Sequence, residues 1–171
     1  MRDATGKIIG IRLRCPISGC KWAVSGSRQG LFVPIDLIDQ SLSGRRLLIC
    51  EGPTDTAALL DLGFIAIGRP SCMGGVDIIR DLVTVNTPAE VVIITDADAP
   101  GQRGADQLAA VLAAYIGDIR IITPPEGIKD ARVWRQAGAI ASDIVAAISM
   151  APQVSLKVVV REIGVPTHVC T

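Results

Sequence analysis

Aromatic residues are scarce in this sequence, at 3% of its 171 residues, so the core has to be built from Ile, Val, Leu and Ala. Long apolar runs are also missing: none approaches the roughly 20 residues that cross a bilayer, and the amino-terminal segment has no hydrophobic signal core. We therefore expect a cytoplasmic protein with no membrane partner. The five cysteines are odd in number and scattered, unlike the paired framework of a small secreted domain.

The apolar content that is present indicates one compact domain, with room for a small appendage. Hydrophobic residues make up 49% of the chain, far more than an intrinsically disordered protein contains. Aliphatic side chains with few aromatics are typical of a buried parallel sheet flanked by Ala-rich helices. The composition thus favours an α/β fold.

Net charge is also absent, since 17 basic residues balance 17 acidic ones, but the charges are unevenly distributed. Residues 1–46 contain eight basic and three acidic residues, whereas residues 47–138 contain seven basic and twelve acidic ones. A basic front therefore precedes an acidic middle. The net charge of zero would by itself argue against binding of a polyanion, but the basic N-terminal segment makes such a partner possible.

The pattern of apolar residues divides the chain into four parts. Residues 1–34 alternate apolar and basic positions between glycines and prolines, which predicts a small basic β subdomain. Residues 35–46 are a connector with a short helical turn, residues 47–150 form the main α/β domain, and residues 151–171 form a tail. A further edge strand is predicted at Leu156–Val160.

Strands and helices alternate in the main domain. Four apolar, largely β-branched runs are predicted strands, at Leu47–Cys50, Phe64–Ile67, Val91–Thr95 and Ile119–Ile122. Helical spacing, with proline near a first turn and glycine after a last one, predicts helices at Pro53–Leu62, Gly75–Val83, Arg103–Tyr115, Ala131–Ala137 and Ala139–Met150. Crossovers of this length should make the strands parallel.

Acidic residues directly follow two of these strands. Glu51 ends the first, Asp96 ends the third, and Asp98 lies two residues further on, before Gly101. Because ligands bind beyond the carboxyl ends of parallel strands, these carboxylates meet at one edge if the two strands are neighbours. Like charges raise each other's pKa unless a cation lies among them, and carboxylate oxygens suit Mg²⁺ or Mn²⁺. A metal held by one or two carboxylates usually carries a phosphate substrate, which the sequence therefore predicts.

These residues carry a family resemblance. Residues 51–55, Glu-Gly-Pro-Thr-Asp, followed by residues 96–101, Asp-Ala-Asp-Ala-Pro-Gly, resemble the TOPRIM domain of bacterial-type primases, topoisomerases and certain nucleases. Residues 127–130, Gly-Ile-Lys-Asp, resemble the Lys-Asp motif of primase-like members, and residues 30–34 resemble the segment that precedes the domain in phage and plasmid primases. The expected fold is a Rossmann-like TOPRIM domain, with a central four-stranded parallel sheet flanked by helices and preceded by the basic β subdomain.

The resemblance also implies roles for individual residues. Glu51 matches a general acid/base or metal ligand, Asp96 and Asp98 match metal-binding aspartates, and Asp130 matches a further acidic position near the metals. Many primases have a second acid two residues after that aspartate, where this sequence has Arg132. Either a second metal is held more weakly here or fewer ligands suffice.

The activity implied by the resemblance is synthesis of short RNA primers on single-stranded DNA from NTPs, with a replicative helicase as a further partner. Six basic residues are predicted to bind template or nucleotide: Arg12, Arg14, Lys21, Arg28, Arg69 and Lys129. Taken alone, each is equally well explained as a solvated surface charge. Two other functions stay open. The same carboxylates serve a small TOPRIM nuclease, and the fold also serves a catalytically silent replication accessory module.

Overall fold

The structure, a computed structural model, describes residues 1–38 and 40–155. The edge strand predicted at Leu156–Val160 lies outside the described residues. No helix among the described residues is long and apolar enough to cross a membrane.

The fold is centred on a four-stranded sheet. Its strands are β3 (Arg46–Glu51), β4 (Ala66–Arg69), β5 (Glu90–Ile94) and β6 (Ile119–Ile122), in the order β4-β3-β5-β6. Every neighbouring pair in this sheet is parallel. The predicted α/β class and the central four-stranded parallel sheet are confirmed, and β3 and β5, the strands that end in the acidic residues, are direct neighbours.

Helices follow the strands in alternation. Among the described residues they are α1 (Ile35–Ile38), α2 (Gly52–Asp61), α3 (Val76–Asn86), α4 (Ala99–Leu112), α5 (Ala131–Gln136) and α6 (Ala141–Met150). The short α1 is the helical turn predicted for the connector. The domain boundaries themselves stay a prediction.

Both faces of the sheet are buried. Alternate side chains of β3 enter two separate clusters: Leu47 and Ile49 pack with α3 and α4, and Leu48 and Cys50 pack with α2, α5 and α6. Burial of each aliphatic side chain contributes about 1.5–3 kcal/mol. The sheet whose edge carries the acidic residues is therefore the most firmly packed part of the molecule.

The N-terminal segment forms a second, smaller sheet. Strands β1 (Arg12–Arg14) and β2 (Lys21–Ala23) pair antiparallel, and all six of their residues are exposed. The backbone of Phe32 exchanges two hydrogen bonds with Gly68 on β4, at 2.8 and 2.9 Å, and the Arg12 guanidinium donates to the Pro70 carbonyl at 3.1 Å. These contacts hold the basic segment beside the carboxyl end of the sheet.

Several elements differ from their predicted bounds by two or more residues. Helix α3 ends at Asn86 instead of Val83, and α6 begins at Ala141 instead of Ala139. Strand β4 begins two residues later than predicted, because Phe64 and Ile65 lead into the sheet and only residues 66–69 are in register with β3. Helix α4 begins at Ala99 instead of Arg103, since the Asp98 side chain accepts a hydrogen bond from the Gly101 amide and caps the helix there. The helical spacing of apolar residues begins only at Ala105, so it does not report this first turn, which consists of Ala, Pro, Gly and Gln.

Candidate active site

Glu51 is the last residue of β3 and the residue before α2. Gly52 adopts a φ of 78°, a left-handed conformation that lets the chain turn from strand to helix within one residue. A side chain at Gly68 on β4 would overlap the Gly52 carbonyl and the Thr56 hydroxyl, so the start of α2 lies directly against the sheet. The Glu51 carboxylate makes no capping bond to α2, which leaves it free for a ligand.

Asp96 lies on the adjacent strand end, two residues after β5, and is half-buried. Burial raises the pKa of its carboxyl to about 6, and repulsion from Glu51 and Asp130 adds to the rise. The predicted convergence of acidic residues from β3 and β5 is therefore visible in the electrostatics of the site. Charge of the opposite sign at this point would lower the pKa of Asp96 toward its ordinary value.

Asp98 and Asp130 both serve as helix caps. Asp98 is exposed and accepts from the Gly101 amide at 2.7 Å, at the start of α4. Asp130 is buried and accepts from the Val133 amide at 2.7 Å, at the start of α5. Each cap uses one carboxylate oxygen, so the other oxygen of each side chain is not committed to the cap.

Asp55 belongs to the site although the sequence did not single it out as a ligand. Its buried carboxylate accepts a hydrogen bond from the Arg132 amide at 2.8 Å and so fastens α2 to α5. Burial raises the pKa of Asp55 to about 6, with further contributions from Asp130 and Asp96. Its place in the Glu-Gly-Pro-Thr-Asp segment, four residues after Glu51, is the signal that could have identified it.

A cleft of about 460 Å³ opens beside these carboxylates. Its acidic lining consists of Glu51, Asp55, Asp96 and Asp130. Its basic lining consists of Arg12, Arg14, Lys21, Lys129 and Arg132, and Phe32 contributes an aromatic side chain. The acidic end of the sheet and the basic hairpin therefore line the same cleft.

Other predicted site residues lie outside this cleft. Asp98 is absent from its lining, and so is Arg28, which is exposed in the segment after β2. Arg69 is only 3% exposed, and its guanidinium donates to the carbonyls of Gly74 and Gly104 at 3.1 Å each. This geometry gives Arg69 a bracing function beneath the site, whereas the predicted contact with nucleotide or template stays a prediction.

The donor set suits a hard divalent cation. Four acidic side chains line one cleft, two of them with carboxyl pKa values raised to about 6 by burial and mutual repulsion, and a divalent cation would relieve both costs. Within residues 1–38 and 40–155, however, no group of three or more His, Cys, Asp or Glu side chains is arranged so that it could hold a metal ion by itself. Such an open set fits Mg²⁺ or Mn²⁺, which retain waters and share their coordination with phosphate.

Comparison with solved structures identifies the fold. The chain superimposes on the structure of the DnaG catalytic core with a TM-score of 0.69 and 19% sequence identity, covering 90% of this chain and 52% of that one. The DnaG primase catalytic domain bound to single-stranded DNA gives a TM-score of 0.68 and 21% identity, covering 90% and 50%. No protein-family model and no curated protein matches the sequence.

A phage structure gives a similar result. It contains the bacteriophage T7 lagging-strand DNA polymerase interacting with primase domains of two gp4 subunits bound to an RNA/DNA hybrid and dTTP. The TM-score is 0.67 at 16% identity, with 89% of this chain and 76% of that chain covered. At these identities the comparisons establish the fold, which is the TOPRIM-type fold of primase catalytic cores, and the predicted resemblance is confirmed at that level. The chain spans about half the length of the DnaG structures it matches.

Proposed function

We propose that this chain is a primase-like nucleotidyltransferase that makes short RNA primers on single-stranded DNA with Mg²⁺ or Mn²⁺. One observation carries the proposal: acidic residues at the ends of two adjacent parallel strands face the same cleft as three basic residues of an exposed hairpin. Such a cleft suits a reaction in which a polyanion is held while negative charge develops at a phosphorus atom. The similarity to a primase domain bound to single-stranded DNA supports the choice of template.

Each side of the cleft has its own task in this mechanism. The 3′-oxygen of the growing strand forms a bond to the α-phosphorus of an NTP, the bond from that phosphorus to the β-phosphate oxygen breaks, and pyrophosphate leaves. Glu51, whose carboxylate makes no cap, is placed to accept the proton of the attacking hydroxyl. Asp96 and Asp130 line the cleft and would hold the metal, and Asp98, which caps α4 outside the cleft lining, is a further predicted ligand. When bound, the metal would lower the pKa of that hydroxyl and neutralise the leaving pyrophosphate.

The hairpin holds the template in this scheme. The template phosphates are contacted here by Arg12, Arg14 and Lys21, which line the cleft. Lys129 also lines the cleft, its charge opposes the rise in the pKa of Asp96, and it is a candidate for binding the triphosphate. Phe32 offers a surface on which a base can stack. Positioning and electrostatics supply most of the rate in phosphoryl transfer. This agrees with a cleft in which none of the described lining residues is a histidine or a cysteine.

The test combines the protein with labelled NTPs, single-stranded DNA and either Mg²⁺ or Mn²⁺. Template-dependent oligoribonucleotides are the expected product. Shortened DNA without consumption of NTPs would replace the proposal with a nuclease. DNA binding without either reaction, and unchanged in Asp96→Asn, would indicate a non-catalytic accessory module.

A further inference from the structure

Two cysteines lie opposite each other at the tip of the basic hairpin. Strands β1 and β2 pair in a register that places Arg14 opposite Lys21, and one step further along that register Cys15 faces Cys20. The Cys15 amide donates to the Cys20 carbonyl at 2.9 Å, so the pairing continues to this position. The two cysteines are therefore cross-strand neighbours, although residues 16–19 separate them in the sequence.

The cross-strand arrangement suits a disulfide bond. Directly opposite residues of an antiparallel pair carry their side chains on the same face of the sheet. At a hydrogen-bonded position their Cα atoms are about 5.5 Å apart, and disulfides join Cα atoms that are about 4.4–6.8 Å apart. The Cys15 and Cys20 sulfurs can therefore meet by side-chain rotation, with the strand register unchanged.

The pair is accessible and one of its thiols is activated. Within the described part of the chain both thiols are free, with Cys20 exposed and Cys15 half-buried. Ile17, at the tip of the loop between them, is 95% exposed, so a reagent can reach the loop from solvent. Hydrogen bonds from the Ser18 side chain, and then from the Ser18 and Ile17 backbone, lower the pKa of the Cys15 thiol. Because the thiolate is the nucleophile in disulfide exchange, Cys15 is suited to attack first.

Two other cysteines show what the hairpin pair has in addition. Cys50 is buried in the core, and burial raises the pKa of its thiol to about 12, which makes it unreactive. Cys72 is half-buried in the loop after β4, away from the hairpin strands. Accessibility and a cross-strand partner are combined at Cys15 and Cys20.

We propose that Cys15 and Cys20 are a redox-active pair that forms a reversible disulfide across the tip of the basic hairpin, with a low-molecular-weight disulfide such as glutathione disulfide as the oxidant. The Cys15 thiolate attacks one sulfur of the oxidant, and one glutathione leaves as a thiolate. The Cys20 thiolate then attacks the Cys15 sulfur of the mixed disulfide and releases the second glutathione. The two protons of the protein thiols end on the two released glutathione molecules, and the oxidant gains the two electrons.

The disulfide would fasten the turn beside Arg14 and Lys21, which line the cleft. A two-stranded hairpin is only marginally stable by itself, so a covalent link at its tip restricts the conformations of this wall. The inference goes beyond the proposed function, because the pair needs neither nucleotide nor DNA to react. Its test is therefore independent of primer synthesis.

The experiment equilibrates the full chain in buffers with graded ratios of glutathione disulfide to glutathione. Free thiols are then blocked with N-ethylmaleimide, and tryptic peptides are analysed by mass spectrometry. Trypsin cleaves after Arg14 and Lys21, so both cysteines fall on one peptide, residues 15–21, which contains no other cysteine. We expect this peptide to lose both labels together and to have a mass lower than that of the dithiol by two hydrogen atoms.

The same titration in urea measures what the fold contributes. The hairpin holds the two thiols together, so the equilibrium constant for the disulfide should be roughly tenfold or more larger in the folded chain than in the unfolded one. Cys20→Ser should leave Cys15 as a stable mixed disulfide with glutathione, because the resolving thiol is missing. The matched control is Cys72→Ser, in which peptide 15–21 should titrate like that of the wild type.

Four outcomes would overturn the inference. Peptide 15–21 could keep two labels at every glutathione ratio, or could accumulate a mixed disulfide with glutathione in the wild type. It could be linked to a different cysteine peptide, or its disulfide could be equally stable in the folded and the urea-unfolded chain. Thermal unfolding checks that Cys20→Ser is folded, which we expect because Cys20 is exposed.

Discussion

The two walls of the cleft are built in opposite ways. The acidic wall, formed by Glu51 and Asp96, lies at the ends of β3 and β5, most of whose residues are buried. The basic wall, formed by Arg12, Arg14 and Lys21, lies on β1 and β2, whose residues are all exposed. The register of a packed parallel sheet fixes the positions of Glu51 and Asp96. The basic residues Arg12, Arg14 and Lys21 lie on a hairpin of two strands with three residues each. A hairpin of this size is only marginally stable by itself.

This difference matches two different physical requirements. Chemistry at phosphorus needs charges fixed to within a fraction of an ångström, because misplaced groups lose most of their effect on the transition state. Holding a single strand needs positive charge that follows a variable backbone, and long exposed side chains provide it. Substitutions on the acidic wall should therefore act on rate, and substitutions on the basic wall should act on affinity.

The largest expected effect comes from the two strand-end carboxylates. Glu51→Gln and Asp96→Asn should each lower the rate of primer synthesis on the order of a hundredfold or more, through loss of charge stabilisation in the transition state. Single-turnover assays at saturating DNA and NTP measure this rate. Asp61→Asn is the matched control, because Asp61 is exposed at the far end of α2. Near-normal rates in both cleft variants would contradict this site.

Asp98 allows the capping function to be separated from the chemistry. Asp98→Asn keeps a good N-cap for α4 but removes the charge, so it should lower activity by roughly a hundredfold with stability nearly unchanged. Asp98→Ala should lose the same activity and, in addition, about 1 kcal/mol of unfolding free energy. Urea denaturation alongside the rate assay distinguishes the two. Full activity in Asp98→Asn would make the residue a cap only.

The basic wall should have a smaller effect and a different one. Replacing Arg12, Arg14 and Lys21 together by Gln should weaken binding to a single-stranded oligonucleotide by tenfold or more and reduce the salt slope by about 2. Stability should change little, because all three residues are exposed. Within the part of the chain that the structure describes, their one long-range side-chain hydrogen bond is that of Arg12 to Pro70. Fluorescence anisotropy at several salt concentrations measures both quantities.

Arg28 sharpens this comparison. It belongs to the same basic subdomain and is exposed, but it does not line the cleft. Arg28→Gln should therefore weaken binding less than any single replacement at Arg12, Arg14 or Lys21. An equal loss would mean that the subdomain attracts DNA through its overall charge and that the cleft wall has no special part.

The sequence was most informative where local pattern and topology coincide. Aliphatic runs marked each strand of the parallel sheet, and acidic residues directly after two of them marked one edge, because ends of neighbouring parallel strands must meet. The buried guanidinium of Arg69 and the hydrogen bond from the Arg132 amide to Asp55 were not predictable in this way. Their environments are made by loops and helices distant in sequence, such as the Gly104 carbonyl on α4 that accepts from Arg69.

The smallest expected effect is a pH dependence of stability that belongs to the acidic wall alone. The carboxyl pKa of Asp96 is raised to about 6 in the folded chain, chiefly by burial and then by repulsion from Glu51 and Asp130. A carboxyl whose folded pKa exceeds its unfolded value of 3.8 favours folding when protonated. This contribution to the free energy of unfolding is therefore lost as pH rises from about 4 through 6. The loss is on the order of 1 kcal/mol after reduction for screening by solvent.

Comparison with Asp96→Asn isolates this contribution. In EDTA at pH 7.5 the variant should be more stable than the wild type by about 1 kcal/mol, and the gap should close toward pH 4, where both side chains are neutral. Added Mg²⁺ should narrow the gap at pH 7.5, since a cation stabilises only the charged wild-type site. Urea titrations at each pH measure this, with Asp61→Asn as the exposed control. A gap that is constant across this range would show that Asp96 is not under electrostatic strain, and the acidic wall would then need no cation to hold its carboxylates together.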